Sequence, residues 1–282
     1  MKKKLSAILL GLAFTAGLCL VLYPTVSDWW NSFHQSRAIA NYAEAAAGLS
    51  EEDYNRFLSE ARAYNESLLE KSNPLVPTEE EEALYYDTLD VTGTGIMSYI
   101  EIPSIKCELP VYHGVSEAVL QVAVGHIVGT SLPIGGENTH CVLSGHRGLP
   151  SARLFTDLDQ LAEGDVFLLQ TLDETLTYEV DQIHIVEPQE VDGLSIIPGG
   201  DYCTLITCTP YGINSHRMLL RGHRVETEKT HNVRVTAEAV QVEPVMVSGV
   251  IAIPLLVAGL VALTSGDRRR WDDKITYEEN SK

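Results

Sequence analysis

Apolar residues follow three different patterns along this chain, and each predicts a different kind of element. Residues 5–22 are almost continuously apolar behind Lys2, Lys3 and Lys4, and residues 245–264 form a second such run ahead of Arg268, Arg269 and Arg270. Runs of this length suit short membrane-spanning helices. No small-residue cleavage signature follows the first run, and Trp29 and Trp30 stand where an interfacial belt would lie, so residues 1–30 are expected to be an uncleaved anchor. The basic residues flanking the two runs predict that both termini are cytoplasmic and that the intervening chain is outside. Past the first run the period changes. Tyr54, Phe57, Leu58, Ala61, Tyr64 and Leu68 recur at helical spacing, and Ser50 ahead of Glu51, Glu52 and Asp53 reads as an N-cap with acid in the first turn. Residues 31–72 are therefore expected to be helical, with one stripe laid against a following domain. Asn73, Pro74 and Pro77 break the helix, the acidic run at 79–82 reads as solvated, and 73–95 is assigned to a linker closed by Gly93-Thr94-Gly95.

From Ile96 the pattern becomes short apolar runs punctuated by Gly, Pro and Asp. Strands are expected at 96–102, 106–111, 139–144, 166–171, 176–186, 202–208 and 217–225. This makes residues 96–228 an all-β sandwich or barrel, between which periodicity does not choose. Residues 229–244 would be a linker, 245–264 the second span and 265–282 a cytoplasmic tail. The length of 282 residues suffices for one sizeable core beside two spans.

Charge narrows the partners. A formal net charge of −19 argues against nucleic acid; it fits either a solvated acidic surface or a cationic partner such as a lysine-presenting protein. The nine histidines contain no helical His-x-x-x-His pair, and the five cysteines no Cys-x-x-Cys, so no metal site is expected. Gly135-Gly136 lacks the residues of a phosphate-binding loop. Cys107, Cys141 and Cys203 could pair outside the cell, but Cys203 and Cys208 are an odd number of strand positions apart and face opposite sides, and no disulfide is expected.

The candidate chemistry lies in Thr-Leu-Ile-Thr-Cys-Thr-Pro-Tyr-Gly-Ile-Asn-Ser-His-Arg (204–217). A strand ends at Cys208 because Pro210 and Gly212 open a turn, and a simple hairpin would return Arg217 beside it. The guanidinium is permanently charged and its fork of N–H donors suits a carboxylate or a developing oxyanion. A thiol is mostly protonated near neutral pH, so a nucleophilic Cys208 needs a histidine. His146, between Gly145 and Gly148 after the 139–144 strand where absent side chains leave room for a substrate backbone, is the best candidate, and His216, beside Arg217, is the main competitor.

Thr-Leu-Ile-Thr-Cys (204–208), Arg217 and Leu-Ser-Gly-His-Arg-Gly (143–148) resemble the signature of the sortases, Gram-positive cysteine transpeptidases. Val-Gly-His (124–126), Gly-Thr-Ser-Leu-Pro (129–133), His-Arg-Gly-Leu-Pro-Ser (146–151), Leu-Phe-Thr-Asp-Leu (154–158) and Thr-Pro-Tyr-Gly-Ile-Asn (209–214) are similar to the class C, pilus-assembly branch, over about residues 30 to 265. The resemblance implies a mainly β fold, a closed eight-stranded sortase-type β-barrel with N-terminal helices, flanked by two transmembrane helices. It implies Cys208 as nucleophile, His146 as proton-transfer partner and Arg217 as oxyanion donor, with no cofactor. The substrates would be pilin proteins carrying an LPXTG-like sorting signal, cleaved to a thioester that an acceptor lysine of another pilin resolves into an isopeptide bond. Anchoring of proteins through a peptidoglycan amine, hydrolysis by water, and a non-catalytic scaffold of the pilus machinery are the other readings. Class C sortases usually carry an Asp-Pro-aromatic lid over the site; the matching residues here are Asn73, Pro74 and Leu75, which predict a weak plug on Arg217 and Cys208, with 87–90 as the alternative location.

Overall fold

The computed structural model describes residues 2–227; the expected second span at 245–264, the linker before it and the tail after it lie outside the described residues. Residues up to Ser27 form one unit, and the chain from Asp28 forms another. Helix α1 (Lys2–Ala47) outruns the apolar stretch that predicts it and holds Pro24 within its length. Among the described residues it contains the one helix long and apolar enough to cross a membrane, and Leu10, Leu20 and Val21 on it are exposed.

In the second unit, α1 is fastened by polar bonds as well as by packing. Fully buried Tyr42 donates its hydroxyl to the Met97 carbonyl at 2.8 Å and accepts the Leu172 amide at 2.9 Å. Gly48 and Leu49 separate α1 from α2 (Glu51–Leu68), which starts where its cap predicts: Ser50 Oγ accepts the Asp53 amide at 3.0 Å. Phe57, Ala61, Tyr64 and Leu68 form its buried stripe. Asn65 shares that face, and its amide accepts from the Leu132 N–H at 2.7 Å and donates to the Leu132 carbonyl at 3.3 Å. A buried amide left without such partners would cost about 1–3 kcal/mol.

The linker at 73–95 holds an element that the acidic run conceals. Thr78 and Glu81 form a reciprocal capping box, and α3 (Glu79–Asp87) follows, burying Tyr85 completely. Its four leading glutamates are a helical first turn, where acid is favourable against the helix dipole, and not merely a solvated run.

The strands are β1 (Ile96–Ile102), β2 (Cys107–His113), β3 (Val124–His126), β4 (Thr139–Ser144), β5 (Val166–Thr171), β6 (Glu174–Val186), β7 (Asp201–Thr209) and β8 (His216–Val225), with the short helix α4 (Glu117–Leu120) between β2 and β3. They close into a barrel in the order β1-β2-β3-β4-β7-β8-β6-β5, with β5 returning to β1. Closure decides between the two architectures that alternation left open. Seven strands fall at their expected places to within two residues; β3, three residues long, is too short to show a period. All pairings are antiparallel except β2 with β3 and β4 with β7. The interior is filled by Ile100, Leu143, Phe167, Leu169, Leu205 and Leu220, all buried.

Candidate active site

β7 and β8 are a hairpin whose register sets Cys208 opposite Arg217. The turn between them is fixed by the Ile213 and Asn214 amides, both donating to the Pro210 carbonyl at 3.1 and 2.9 Å, with Gly212 and Asn214 at positive φ. Cys208 is half-buried and carries a free thiol. Arg217 donates from Nη1 to the carbonyls of Asn214 at 3.3 Å and His216 at 3.1 Å. Among the described residues its Nε and Nη2 make no bond, so the guanidinium is held by one nitrogen and presents the others.

The histidine arrives from the other side of β7. β4 lies parallel to β7 with Ser144 level with Ile206. The Gly145 amide continues this ladder to the Ile206 carbonyl at 3.0 Å, and Thr207 Oγ1 donates to the Gly145 carbonyl at 2.9 Å. His146 follows one residue later, as Cys208 follows Thr207 on β7. Gly145 has no side chain because the Phe155 ring occupies the place of a Cβ, 2.6 Å away at its nearest atom. His146, about a quarter exposed, lies with Nε2 3.8 Å from the Glu117 carboxylate of α4. His216, the competitor, turns its Nδ1 to the Ser215 hydroxyl at 2.8 Å. The structure therefore gathers Cys208, His146 and Arg217 at one end of adjacent strands. A thiol, an imidazole and a cationic fork so arranged can support attack on a carbonyl, proton transfer to a leaving amine and stabilisation of the oxyanion between.

Arg147 frames the site, ion-paired with Asp159, 3.5 Å from Thr209 Oγ1 and 5.9 Å from the centre of the Tyr211 ring. That ring packs against Gly148, where a Cβ would stand 3.0 Å from it. Sequence reasoning missed Glu117 and Asp159, because nothing in their spacing connects them to His146 or Arg147. Two other histidines are bound into the frame: His113 bonds the Thr88 carbonyl at 2.7 Å and His140 the Ser195 carbonyl at 2.8 Å. Among the described residues, no three His, Cys, Asp or Glu side chains converge as a metal site would require.

Among the described residues, the expected lid contact with Arg217 is not made. Asn73 is exposed and is not a partner of Arg217. Instead the Pro74 carbonyl and Leu75 Cα press on Gly129, which has φ +84° and no Cβ to obstruct them. Gly129 lies between Ile127, bonded to Val142, and Ser131, bonded to His140. Since a strand rises about 3.3 Å per residue, this is roughly 10 Å down β4 from the end that carries His146. The alternative at 87–90 is also committed elsewhere: Leu89 is buried, and Asp90 Oδ1 accepts the Gly95 amide at 2.9 Å.

The sortase domain family model matches residues 100–225. A crystal structure of sortase C1 from Streptococcus agalactiae is 49% identical, covering 68% of this chain and 100% of that one, with a TM-score of 0.65. Sortase C-1 from Actinomyces oris is 44% identical over 62% of this chain and 99% of that one, with a TM-score of 0.59. Among curated relatives, Sortase D of Bacillus subtilis (strain 168) is 31% identical over 129 residues, 45% of this chain. The chain spans 47% and 62% of the length of the first two curated relatives it matches. With the closed barrel and the hairpin it positions, these likenesses make the chain a member of the sortase family, alongside the class C sortases.

Proposed function

We propose that this protein is a membrane-anchored transpeptidase that joins pilin subunits. Cys208, as thiolate, attacks the carbonyl of an LPXTG-like sorting signal, Arg217 stabilises the tetrahedral oxyanion, and His146 protonates the departing amine. The thioester left on Cys208 is then opened by a lysine amine of a second pilin, which regenerates the thiol and forms an isopeptide bond. Both steps are acyl transfers that need no metal or organic cofactor. The observation that carries this reading is the placing of β7, whose Cys208 stands opposite Arg217 on β8 while its other edge pairs with β4, the strand that ends two residues before His146. Incubation with pilins encoded beside this protein, followed by mass spectrometry, tests it. A lysine isopeptide between two pilins is the expected product. Transfer to a peptidoglycan amine alone would make this a wall-anchoring enzyme, release of free acid a peptidase, and no reaction a scaffold.

The anchoring belongs to the same proposal: α1 and residues 245–264 each cross the membrane, with the barrel outside and both ends cytoplasmic. A reporter fused after Lys282 is expected to read as cytoplasmic. An extracellular signal would leave one of the two stretches outside the bilayer.

A further inference from the structure

Two cysteines that the chemistry above does not use face one another inside the barrel. The parallel ladder between β4 and β7 pairs Cys141 directly with Cys203. Registered residues on neighbouring strands point to the same face, and strands lie about 4.8 Å apart, within the roughly 4.4–6.8 Å between Cα atoms that a disulfide spans. Cys141 and Cys203 are 2% and 0% exposed, and both are free thiols. The pair that sequence spacing rules out is Cys203 with Cys208; the partner that the fold supplies comes from another strand.

The pair is polarised by its surroundings. Burial pushes the Cys141 thiol up, but polar contact with Cys203 and then with His126 draws it below the ordinary thiol value. Cys203 moves the opposite way, raised by burial and by its polar contact with Cys141, with nearby Asp201 adding to the rise. Of the two, Cys141 is the thiol that ionises more readily. His126 is fixed in place, donating from Nε2 to the Ser131 carbonyl at 2.9 Å, with the buried Tyr85 hydroxyl 2.9 Å from Nδ1.

We propose that Cys141 and Cys203 are an oxidation site, converted by a small peroxide into a disulfide that cross-links β4 to β7 inside the barrel. The Cys141 thiolate attacks one peroxide oxygen; the O–O bond breaks, leaving Cys141 as a sulfenic acid and releasing hydroxide, which takes up a proton as water. The Cys203 sulfur, giving up its proton, then attacks the Cys141 sulfur and expels a second water. Two thiols have lost two protons and two electrons, and the peroxide has been reduced to two waters. Complete burial selects the reagent: peroxide approaches water in size, whereas bulky disulfides and alkylating agents are kept from this pair and left to the more accessible cysteines, such as exposed Cys19 and half-buried Cys208. The cross-link would join the two strands that carry His146 and Cys208, each five positions beyond its cysteine, and so tie together the parts of the site that no hairpin connects.

The full-length protein in detergent is treated with hydrogen peroxide, quenched with catalase, unfolded in N-ethylmaleimide to cap remaining thiols, digested without reductant and mapped by tandem mass spectrometry. The expected product is the Cys141 peptide joined to the Cys203 peptide, lighter by two hydrogens, absent after reduction, absent in Cys141→Ala and Cys203→Ala, and retained in Cys107→Ala and Cys208→Ala. The wild-type map decides the matter even if a core variant does not fold. Recovery of Cys141 and Cys203 as maleimide adducts, or linkage of either to Cys107 or Cys208, would overturn the proposal.

Discussion

Cys208→Ala is expected to abolish thioester formation and pilin joining while leaving the barrel folded. Each of the other cysteines is placed where it cannot replace Cys208. Cys141 and Cys203 point into the closed interior. Cys107 lies on β2, its thiol directed at the Leu154 carbonyl at 3.9 Å and pushed up to about 12 by burial, with the Asp157 and Glu108 carboxylates adding to the effect. Cys19 is on α1, in the unit that precedes the barrel. Cys208 alone stands near the end of a strand opposite an arginine, beside the strand that leads into His146. Since it is half-buried and makes no structural bond, losing its sulfur should cost about 1 kcal/mol of stability or less. The check is intact-mass detection of the acyl adduct with a sorting-signal peptide, alongside a thermal melt. An adduct on the alanine variant would remove Cys208 from the mechanism.

Arg217→Lys is expected to be nearly as damaging as Arg217→Ala, with kcat lower by about 10²–10³ for the loss of one well-placed oxyanion donor. The guanidinium spends Nη1 on the Asn214 and His216 carbonyls, and this anchoring leaves Nε and Nη2 to face the reacting group in a fixed plane. An ammonium has donors on one atom only, so it can satisfy the turn carbonyls or follow the oxyanion, but it cannot hold one while presenting to the other. The loss should fall on kcat with KM little changed, because the interaction belongs to the transition state. Steady-state cleavage of a fluorogenic sorting-signal peptide measures both constants. Near-native kcat in the lysine variant would reduce Arg217 to a point charge.

The neighbourhood of Cys208 and Arg217 was legible because a hairpin is a local object: a strand, a Pro-Gly turn and a second strand fix the register by counting. Ser50 was legible for the same reason, a cap and its helix being adjacent in sequence. His146 was less so, since its place depends on a parallel pairing between distant strands; the glycines around it made it the better candidate, but the residues alone could not dismiss His216. β3 escaped because three residues carry no period, and α3 because four glutamates read as a charge run, although Thr78 and Glu81 spell a capping box. The lid misled for a physical reason: Asn73-Pro74-Leu75 occupies the expected place in the order of the chain, but the open Gly129 backbone draws it down β4, away from Arg217. The linker's position was read from sequence; its destination depended on a glycine more than fifty residues later.

The ladder between β4 and β7 has a bearing on when this protein becomes reactive. Thr207 and Gly145, which share the bond nearest the site, are 62 positions apart, whereas Cys208 and Arg217 meet across a short turn. Closing a long loop costs more chain entropy than closing a short one, and non-local pairings form slowly. A partly folded chain can therefore hold its sulfur beside its guanidinium and yet lack the imidazole. In that interval the cysteine is without the proton-transfer partner of the proposed mechanism, so the proposed centre comes into being with the completed barrel rather than with the hairpin that bears Cys208.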